Sequence, residues 1–374
     1  MTIPATNSDI ATAIMLIDRL GVSVDDLRDA APIRRQVPTF AEYIPVVYAA
    51  MPDTVTRDIY MTYWKKIWPD KRLDEPTVSE FKALIESARQ QRRICRSDRG
   101  GRYAVEHFYH ALRCLYRFAV DDRYISKTND PSACLERPRP LPSNRRAIPN
   151  PLLAQINQVA NQGGTDPDLD TLLIRLHIET ACRLSGALAL RSQDLDPAQC
   201  LVLLREKGQT ERWQPVSPTL MVALQNHYSE RVERYDPGRR KTRNGRPLKP
   251  DAARQLLRYQ DGMPISKRRY DVMWERIGRE IPAVATHRIS SHWLRHTTLR
   301  WVERNFGHSV AKTYAGHAHE HSRGATTIYT RAGIEEVAAA LAALTCEPHP
   351  LAANPGLLWH QADQIPFDPM GVAA

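Results

Sequence analysis

The sequence predicts a mainly α-helical protein of two domains with one small antiparallel β-sheet. Three observations lead to this fold class: apolar residues recur at helical spacing over most of the chain, a proline-rich stretch interrupts the pattern near residue 140, and one pair of strand-like segments follows it. The chain has 374 residues, 42% hydrophobic and 25% charged, which is enough for two cores and excludes disorder as its main state.

The first domain is predicted from two apolar stripes. Residues 1–37 are expected to form a small helical extension, and residues 38–142 a helical domain that ends in the proline-rich linker. The extension carries Ile10, Ile14, Ile17 and Leu20, and the two stripes are Val55, Ile59, Tyr63 and Ile67, then Val105, Phe108, Leu112, Leu115 and Ala119. The opposite faces are basic and are either a solvated surface or one that faces phosphates: Arg57, Lys65, Lys66, Arg89, Arg92, Arg93, Arg113 and Arg117.

The second domain is expected over residues 143–345, with an extended or disordered tail over 346–374. Its elements are predicted from periodicity and turn residues. In chain order they are a buried helix around 172–178, a hairpin with strands at 201–205 and 213–216, a basic loop over 231–249, helices within 266–314, and an alanine-rich helix over 334–344.

The charge of the chain favours a polyanionic partner. Lys and Arg number 52 against 42 Asp and Glu, so the formal net charge is +10. Only ten of the basic residues are lysines, and Lys207 is the only lysine between positions 128 and 240. Arginine binds phosphate with two parallel hydrogen bonds, whereas lysine is a point charge whose proton can be moved.

Several classes of protein are excluded by the sequence. The six cysteines form no Cys-x-x-Cys pair, so neither a zinc ribbon nor a disulfide scaffold is indicated. No basic region precedes the apolar stretch at 13–17, which therefore fails as a signal peptide, and no apolar run is long enough to span a membrane. A reduced, cytoplasmic setting is expected.

Four separated clusters carry the polar residues of interest. Arg183 follows a buried apolar run, Lys207 lies in the predicted hairpin turn, and His292 and Arg295 share one helix face because they are three residues apart. The last cluster contains His317 and Tyr329. Each residue alone is ordinarily structural, but the ordered set indicates a shared site.

This ordered set resembles the tyrosine recombinase (phage integrase) family. The strings Glu206-Lys207-Gly208-Gln209-Thr210, His292-Trp293-Leu294-Arg295-His296, Gly316-His317 and Ile328-Tyr329-Thr330 match the motifs of that family. The resemblance covers about residues 39–345. It implies a two-domain DNA clamp, in which a helical core-binding domain precedes the tyrosine-recombinase catalytic domain.

Phosphoryl transfer explains why these residue types are needed. Two arginines, Arg183 and Arg295, would stabilise the extra negative charge of the transition state. A tyrosine hydroxyl has a pKa near 10, so the nucleophile Tyr329 needs a base or nearby cations. His292 is assigned as that base and Lys207 as the acid that protonates the leaving 5′-oxygen, while His317 would hydrogen-bond a phosphate oxygen.

The resemblance implies a site-specific integrase that forms a 3′-phosphotyrosine and needs neither ATP, a metal nor another cofactor. Its expected partners are double-stranded DNA and three further copies, in a tetramer that exchanges strands through a Holliday junction. An accessory DNA-bending or directionality factor is left open. Integration or excision of a mobile element is preferred over chromosome-dimer resolution, and the alternatives are a type IB topoisomerase and a catalytically silent DNA-binding regulator.

Some positions depart from the family pattern. The family has Gly two residues before the first arginine and an acid three residues after it, where this chain has Ala181 and Gly186. Support for Arg183 is therefore expected from Asp194 or Asp196. The spacing from His317 to Tyr329 is longer than usual, and the alternating histidines 317, 319 and 321 are not expected to bind a metal.

Two further surfaces were predicted. The apolar face of Val337, Leu341 and Leu344 is expected to dock either on a neighbouring subunit or on its own domain. Basic residues expected to contact DNA are Arg240, Lys241, Arg243, Lys267, Arg268 and Arg269.

Overall fold

A computed structural model describes residues 6–23, 36–51, 55–91, 101–137, 139, 146–206, 210–236, 238, 250–316 and 332–352. The chain forms two compact units, Met1–Pro142 and Ser143–Ala374. In both units the described elements are mainly helices, and the one described sheet has three antiparallel strands. No described helix is both long and apolar enough to cross a membrane.

The first unit is helical and has an aromatic core. Its helices are α1 (Asn7–Leu20), α2 (Phe40–Ala49), α3 (Val55–Ile67), α4 (Val78–Gln91) and α5 (Arg102–Asp121). The predicted stripe of α5 is confirmed, because its members from Phe108 to Ala119 are buried. The predicted stripe of α3 is displaced: Ile67 is 40% exposed, whereas Met61 and Trp64 are fully buried. Burial of the large Trp64 ring against Phe81 and Phe108 explains the displacement, since an aromatic ring removes more apolar surface from water.

Helix α1 begins and ends at the residues that the sequence favours. Thr6 and Asp9 form a capping box at its start, and Gly21 adopts the left-handed conformation at its end. None of its residues is buried, and Ile10, Ile14 and Leu20 are all exposed. The apolar spacing therefore predicted the helix correctly, but its apolar face is not buried against other described residues.

The second unit has a larger, mostly aliphatic core. Its elements are helices α6 (Asn150–Gln162), α7 (Pro167–Thr180) and α8 (Leu184–Ala189), strands β1 (Leu195–Asp196), β2 (Leu201–Glu206) and β3 (Thr210–Pro215), then helices α9 (Pro218–Val232), α10 (Lys267–Glu280), α11 (Pro282–His287), α12 (Ser291–Tyr314) and α13 (Ile334–Thr345). Helix α12 contains a break at Gly307, whose φ of 84° is not helical. The predicted hairpin is confirmed, with Leu201 paired to Pro215 and Glu206 to Thr210.

The C-terminal part of this unit packs against the unit itself. Val337, Leu341 and Leu344 of α13 are buried in its core, so this structure shows the intramolecular alternative for that face. The tail is predicted to be extended or disordered from residue 346. In its described part, 346–352, no helix or strand is present, His349 is buried with its Nε2 3.2 Å from the Cys200 carbonyl, and Glu347 accepts a hydrogen bond from the Thr219 amide. Residues 353–374 lie outside the described part.

The predicted basic loop begins later than expected. Arg231 lies in the last turn of α9, is only 6% exposed and donates two hydrogen bonds to Asp166. This buried ion pair removes Arg231 from any surface that faces phosphates. Residues 239–249, including Arg240, Lys241 and Arg243, lie outside the described residues.

Candidate active site

The site is built around the C-terminal end of helix α7. A helix end leaves carbonyl groups without partners inside the helix, and four side chains from distant segments satisfy them here. Ala181 ends the helix in the left-handed conformation, with φ 48°, and directs the chain into Arg183 at the start of α8. The donors and acceptors are Thr298 Oγ1 to Ile178 at 2.7 Å, Tyr314 Oη to Glu179, Arg212 Nη2 to Thr180 at 3.2 Å, and Arg295 Nη1 to Ala181. Two arginines are thereby fixed at the end of a helix where its dipole favours cations.

A buried carboxylate joins these arginines to Arg183. Glu206, with a side chain only 2% exposed, accepts hydrogen bonds from the Arg183 amide on Oε1 and from Arg183 Nη1 on Oε2, both at 2.6 Å. Its oxygens also lie 3.8 Å from Arg295 Nη1 and 4.0 Å from Arg212 Nε. We call these four residues, Arg183, Glu206, Arg212 and Arg295, the Glu206 cluster.

The Glu206 cluster carries excess positive charge, because one carboxylate cannot neutralise three guanidinium groups. Burial lowers the pKa of Arg295 to about 10, and the Glu206 carboxylate opposes that shift. Burial likewise lowers the pKa of Arg212. At a pKa of about 10 the Arg295 guanidinium is still protonated at neutral pH, so the cluster attracts an anion.

Among the four side chains of the cluster, that of Arg183 is the most exposed. The Arg183 side chain is 29% exposed, whereas that of Arg295 is 4% exposed and its Nη2 donates to the Ala315 carbonyl at 2.6 Å. The buried Nε of Arg212 has no hydrogen-bond partner among the described residues. An incoming anion would therefore meet Arg183 first, with the field of two buried arginines behind it.

Two glycines allow the backbone to approach the cluster. A Cβ atom on Gly316 would lie 2.8 Å from both Cδ and Nε of Arg212, and the φ of Gly316 is +69°. A Cβ atom on Gly186 would lie 3.2 Å from Cγ and 3.4 Å from Oε1 of Glu206. Both positions are therefore restricted by the side chains of the cluster.

Known proteins resemble this chain in sequence and fold. Residues 150–335 match the family model described as the Phage integrase family. The chain is 24% identical to tyrosine recombinase XerD of Staphylococcus saprophyticus over 233 residues, which is 58% of this chain and 71% of the relative. It is 25% identical to tyrosine recombinase XerC of Chlamydia caviae over 243 residues, 60% of this chain and 66% of the relative. Residues 150–335 therefore form a phage integrase domain, and this match together with the two relatives indicates a tyrosine recombinase.

Solved structures of integrases share the fold. A lambda integrase dimer bound to a COC′ core site matches with a TM-score of 0.53 at 15% identity, covering 87% of this chain and 86% of the other. The Tn1549 transposon integrase in complex with a circular intermediate DNA matches with a TM-score of 0.53 at 15% identity, covering 79% and 95%. The predicted fold class is confirmed, as is the prediction of a DNA strand transferase of the tyrosine recombinase type.

The integrase fold brings together two of the six predicted catalytic residues directly. Arg183 and Arg295 meet at Glu206, although they are far apart in sequence. His292 lies one turn before Arg295 on α12, is exposed, and its ring centroid lies 4.7 Å from that of His296. Lys207, His317 and Tyr329 lie outside the described residues, but Lys207 directly follows Glu206 and His317 directly follows Gly316.

The expected support for Arg183 was assigned to the wrong acid. Asp194 instead pairs with Arg205 at 2.5 Å, and its carboxylate accepts a hydrogen bond from the Arg191 amide. Asp196 caps the turn at Gln199. Glu206 takes the role because β2 ends beside the start of α8, an arrangement that depends on tertiary structure.

Arg269 was wrongly predicted to face DNA. Its side chain is 5% exposed and donates to Asp170 at 2.5 Å and to the Asp166 carbonyl at 2.9 Å. The helix α10 turns this residue inward, toward the two acids at the start of α7. Lys267 and Arg268 are exposed and remain predicted DNA contacts.

Sequence reasoning missed Glu206 and Arg212 as members of the site. The residue types of β3, Thr-Glu-Arg-Trp-Gln-Pro, do not mark Arg212 as inward, and only the structure shows Trp213 45% exposed and the Arg212 side chain 13% exposed. A strand that points an arginine inward and a tryptophan outward has a buried partner for the arginine.

A cavity of about 550 Å³ lies along helix α12 beside the site. Three Lys or Arg side chains and one acid line it, so its formal charge is positive, and Ala315, whose carbonyl accepts a hydrogen bond from Arg295, forms part of its wall. The lining residues are Arg146, Ala147, His296, Leu299, Arg300, Glu303, His308, Ala311, Lys312 and Ala315. No group of three metal-binding side chains is present among the residues that the structure describes.

Proposed function

We propose that this protein is a site-specific DNA recombinase that integrates or excises a mobile element. The observation that carries the proposal is the Glu206 cluster, in which three arginines share one carboxylate and Arg183 is open to solvent. Such a site suits a species whose negative charge increases during the reaction, because fixed cations then stabilise the transition state more than the ground state.

The reacting phosphate would bind at Arg183. A guanidinium group with one Nη on Glu206 has further N–H groups for the non-bridging oxygens of a phosphodiester. Arg295 and Arg212 would act through their field, since both are largely buried and donate to backbone carbonyls. The structure therefore favours unequal roles for Arg183 and Arg295.

The bond changes follow from the residue types. The Tyr329 oxygen forms a bond to phosphorus, the bond from phosphorus to the 5′-oxygen breaks, and a 3′-phosphotyrosine results. His292 would accept the phenolic proton and Lys207 would give a proton to the leaving 5′-oxygen, while His317 would hydrogen-bond a phosphate oxygen. Attack by a 5′-hydroxyl of another strand reverses these changes, so no net energy source is required.

Double-stranded DNA is the proposed partner, held by the exposed Lys267 and Arg268 and by the basic cavity along α12. Among the related structures, one is a lambda integrase tetramer bound to a Holliday junction. We infer the same assembly here, with four copies on two paired sites. Binding is expected to weaken steeply with rising salt, because several phosphates would release counterions.

The test is trapping of the covalent intermediate. The full-length protein is incubated with a pool of nicked duplexes of randomised sequence, in which the nick lets the 5′-hydroxyl fragment diffuse away after cleavage. We expect a protein–DNA adduct that survives detergent with the wild type and with Tyr103→Phe, an exposed tyrosine of the first unit, but not with Tyr329→Phe.

Three results would contradict the proposal in different ways. DNA binding without any wild-type adduct would favour a silent regulator. An adduct with Tyr329→Phe would show that another residue is the nucleophile. Relaxation of a supercoiled plasmid that lacks the duplex sequences recovered in the adduct, without strand exchange, would favour a type IB topoisomerase.

A further inference from the structure

We propose that Glu206 is the positioning carboxylate of this active site and that it occupies the space of the acid that the family carries at position 186. The proposal deepens the proposed recombinase function and rests on it. It makes Glu206 and Gly186 a compensating pair: the acid has moved from the start of α8 to the end of strand β2.

The space beside Gly186 is filled by Glu206. This residue is buried in α8, and its backbone is not in the left-handed region, so the backbone conformation alone does not require a glycine. What restricts the position is Glu206, whose Cγ and Oε1 lie 3.2 and 3.4 Å from the place of a Cβ atom. An acidic side chain on residue 186 would enter the volume that the Glu206 carboxylate fills.

Glu206 binds Arg183 at two places. One oxygen accepts from the Arg183 amide and the other from its Nη1, so backbone and side chain of the same residue are fixed together. Because its backbone and its guanidinium group are both held, the Arg183 side chain loses less conformational freedom when it binds a phosphate. The carboxylate oxygens of Glu206 also lie within 4.0 Å of the two buried arginines, Arg212 and Arg295.

Glu206 also has a special position in the chain. It is the last residue of β2 and directly precedes Lys207, the proposed general acid. A carboxylate at this end of the hairpin ties strand β2, which leads into Lys207, to Arg183. Glu206 therefore fixes the backbone position directly before the proposed general acid.

A matched ion pair in the same unit provides the control. Asp194 and Arg205 lie 2.5 Å apart with side chains 1% and 28% exposed, against 2.6 Å, 2% and 29% for Glu206 and Arg183. The two pairs are alike in burial and in distance, although Arg205 also pairs with Glu211 at 3.0 Å, and only one of them contains a proposed phosphate ligand. An effect that is due merely to loss of a buried acid will therefore appear in both.

The experiment compares five full-length variants: Glu206→Gln, Glu206→Ala, Gly186→Glu, the double variant Gly186→Glu/Glu206→Ala, and Asp194→Asn. The measurements are the single-turnover rate of adduct formation, the DNA dissociation constant and the urea midpoint of unfolding. We expect Glu206→Gln and Glu206→Ala to form adduct about 100-fold more slowly, with DNA affinity within about twofold of wild type. Asp194→Asn should match the wild-type rate.

The double variant separates positioning from general stability. Gly186→Glu alone should slow cleavage and lower the urea midpoint, because two carboxylates then compete for one space. Added to Glu206→Ala, it should raise the rate at least tenfold and raise the midpoint. Glu206→Gln keeps the size of the side chain, so it remains informative if Glu206→Ala does not fold.

The outcomes distinguish the two proposals. Equal rates for Glu206→Gln and Asp194→Asn, or a double variant no faster than Glu206→Ala, would overturn the role of Glu206. Absence of a wild-type adduct would overturn the recombinase function. In that case the unfolding measurements still decide the pairing: a Gly186→Glu change that lowers the midpoint equally in both backgrounds would show that Glu206 does not occupy the space of the missing acid.

Discussion

The second unit contains two clusters of buried arginines that differ in the balance of charge. In the first, which we call the Asp166–Asp170 cluster, Asp166 directly before α7 and Asp170 within it pair with Arg231, Arg269 and Arg276 at 2.5 to 3.1 Å. In the Glu206 cluster a single carboxylate serves three arginines, and two of those arginines lie 3.8 Å or more from it. The first cluster is nearly neutralised, whereas the second keeps charge for a ligand.

The clusters also differ in exposure. In the Asp166–Asp170 cluster all five side chains are at most 16% exposed, so it has no open side. In the Glu206 cluster the Arg183 side chain is 29% exposed. Burial of an arginine therefore does not identify a site, whereas a cluster with more arginines than acids and one solvent-exposed arginine does.

The largest expected effect comes from breaking the Asp166–Asp170 cluster. Asp170→Ala would leave Arg269 and Arg276 without their carboxylate in a buried environment, which should lower the free energy of unfolding by about 3–5 kcal/mol. Urea unfolding measures this change. The rate of adduct formation per folded molecule should be unchanged. A large decrease of this rate in fully folded Asp170→Ala would show that the cluster also contributes to the reaction.

A smaller effect is expected from a histidine beside the same cluster. Burial lowers the pKa of His227 to about 4, and its Nε2 must stay unprotonated because it accepts a hydrogen bond from the Arg258 amide at 3.0 Å. The unfolded chain binds this proton below about pH 6.5, so stability is complete above that pH and falls as the pH approaches 4. The loss should be about 1.4 kcal/mol per pH unit over this range.

Comparison of wild type with His227→Gln checks this linkage. Glutamine can accept the same hydrogen bond but does not titrate, so the free energy of unfolding should decrease less steeply between pH 6.5 and pH 4.5 in the variant. Parallel pH curves for the two proteins would contradict the assignment.

The smallest expected effect lies at the Glu206 cluster. Ala181 adopts φ 48°, a left-handed conformation that costs an L-residue about 1 kcal/mol and that the family fills with glycine. Ala181→Gly keeps the carbonyl that binds Arg295 and should therefore raise the free energy of unfolding by about 0.5–1 kcal/mol. Ala187→Gly, at a helical position of α8, is the control and should destabilise instead. A lower melting temperature for Ala181→Gly than for the wild type would contradict the backbone strain at Ala181.

Much of the fold could be predicted from the sequence, because its signals are local. The α5 stripe from Phe108 to Ala119, the hairpin from Leu201 to Pro215 and the helix of Val337 and Leu341 all follow from periodicity and turn residues. The α3 stripe was displaced because the choice between neighbouring helix faces depends on which aromatic ring finds a partner in the core.

The site could be predicted only in part, since its decisive contacts join distant segments. Arg183 and Arg295 were found through motifs, but the sequence cannot show that Glu206 reaches Arg183 across 23 positions. The same reason explains the error at Arg269, which looks like any surface arginine until its partner Asp170, 99 positions away, is known.

The most direct test compares one arginine from each cluster. Adduct formation is measured in a single turnover for Arg183→Ala and Arg269→Ala on the same nicked duplex, under conditions in which both proteins are fully folded. We expect a rate lowered by about 10²–10³ in Arg183→Ala and a wild-type rate in Arg269→Ala. A wild-type rate in Arg183→Ala, or equal losses in the two variants, would contradict the claim that the Glu206 cluster binds the reacting phosphate.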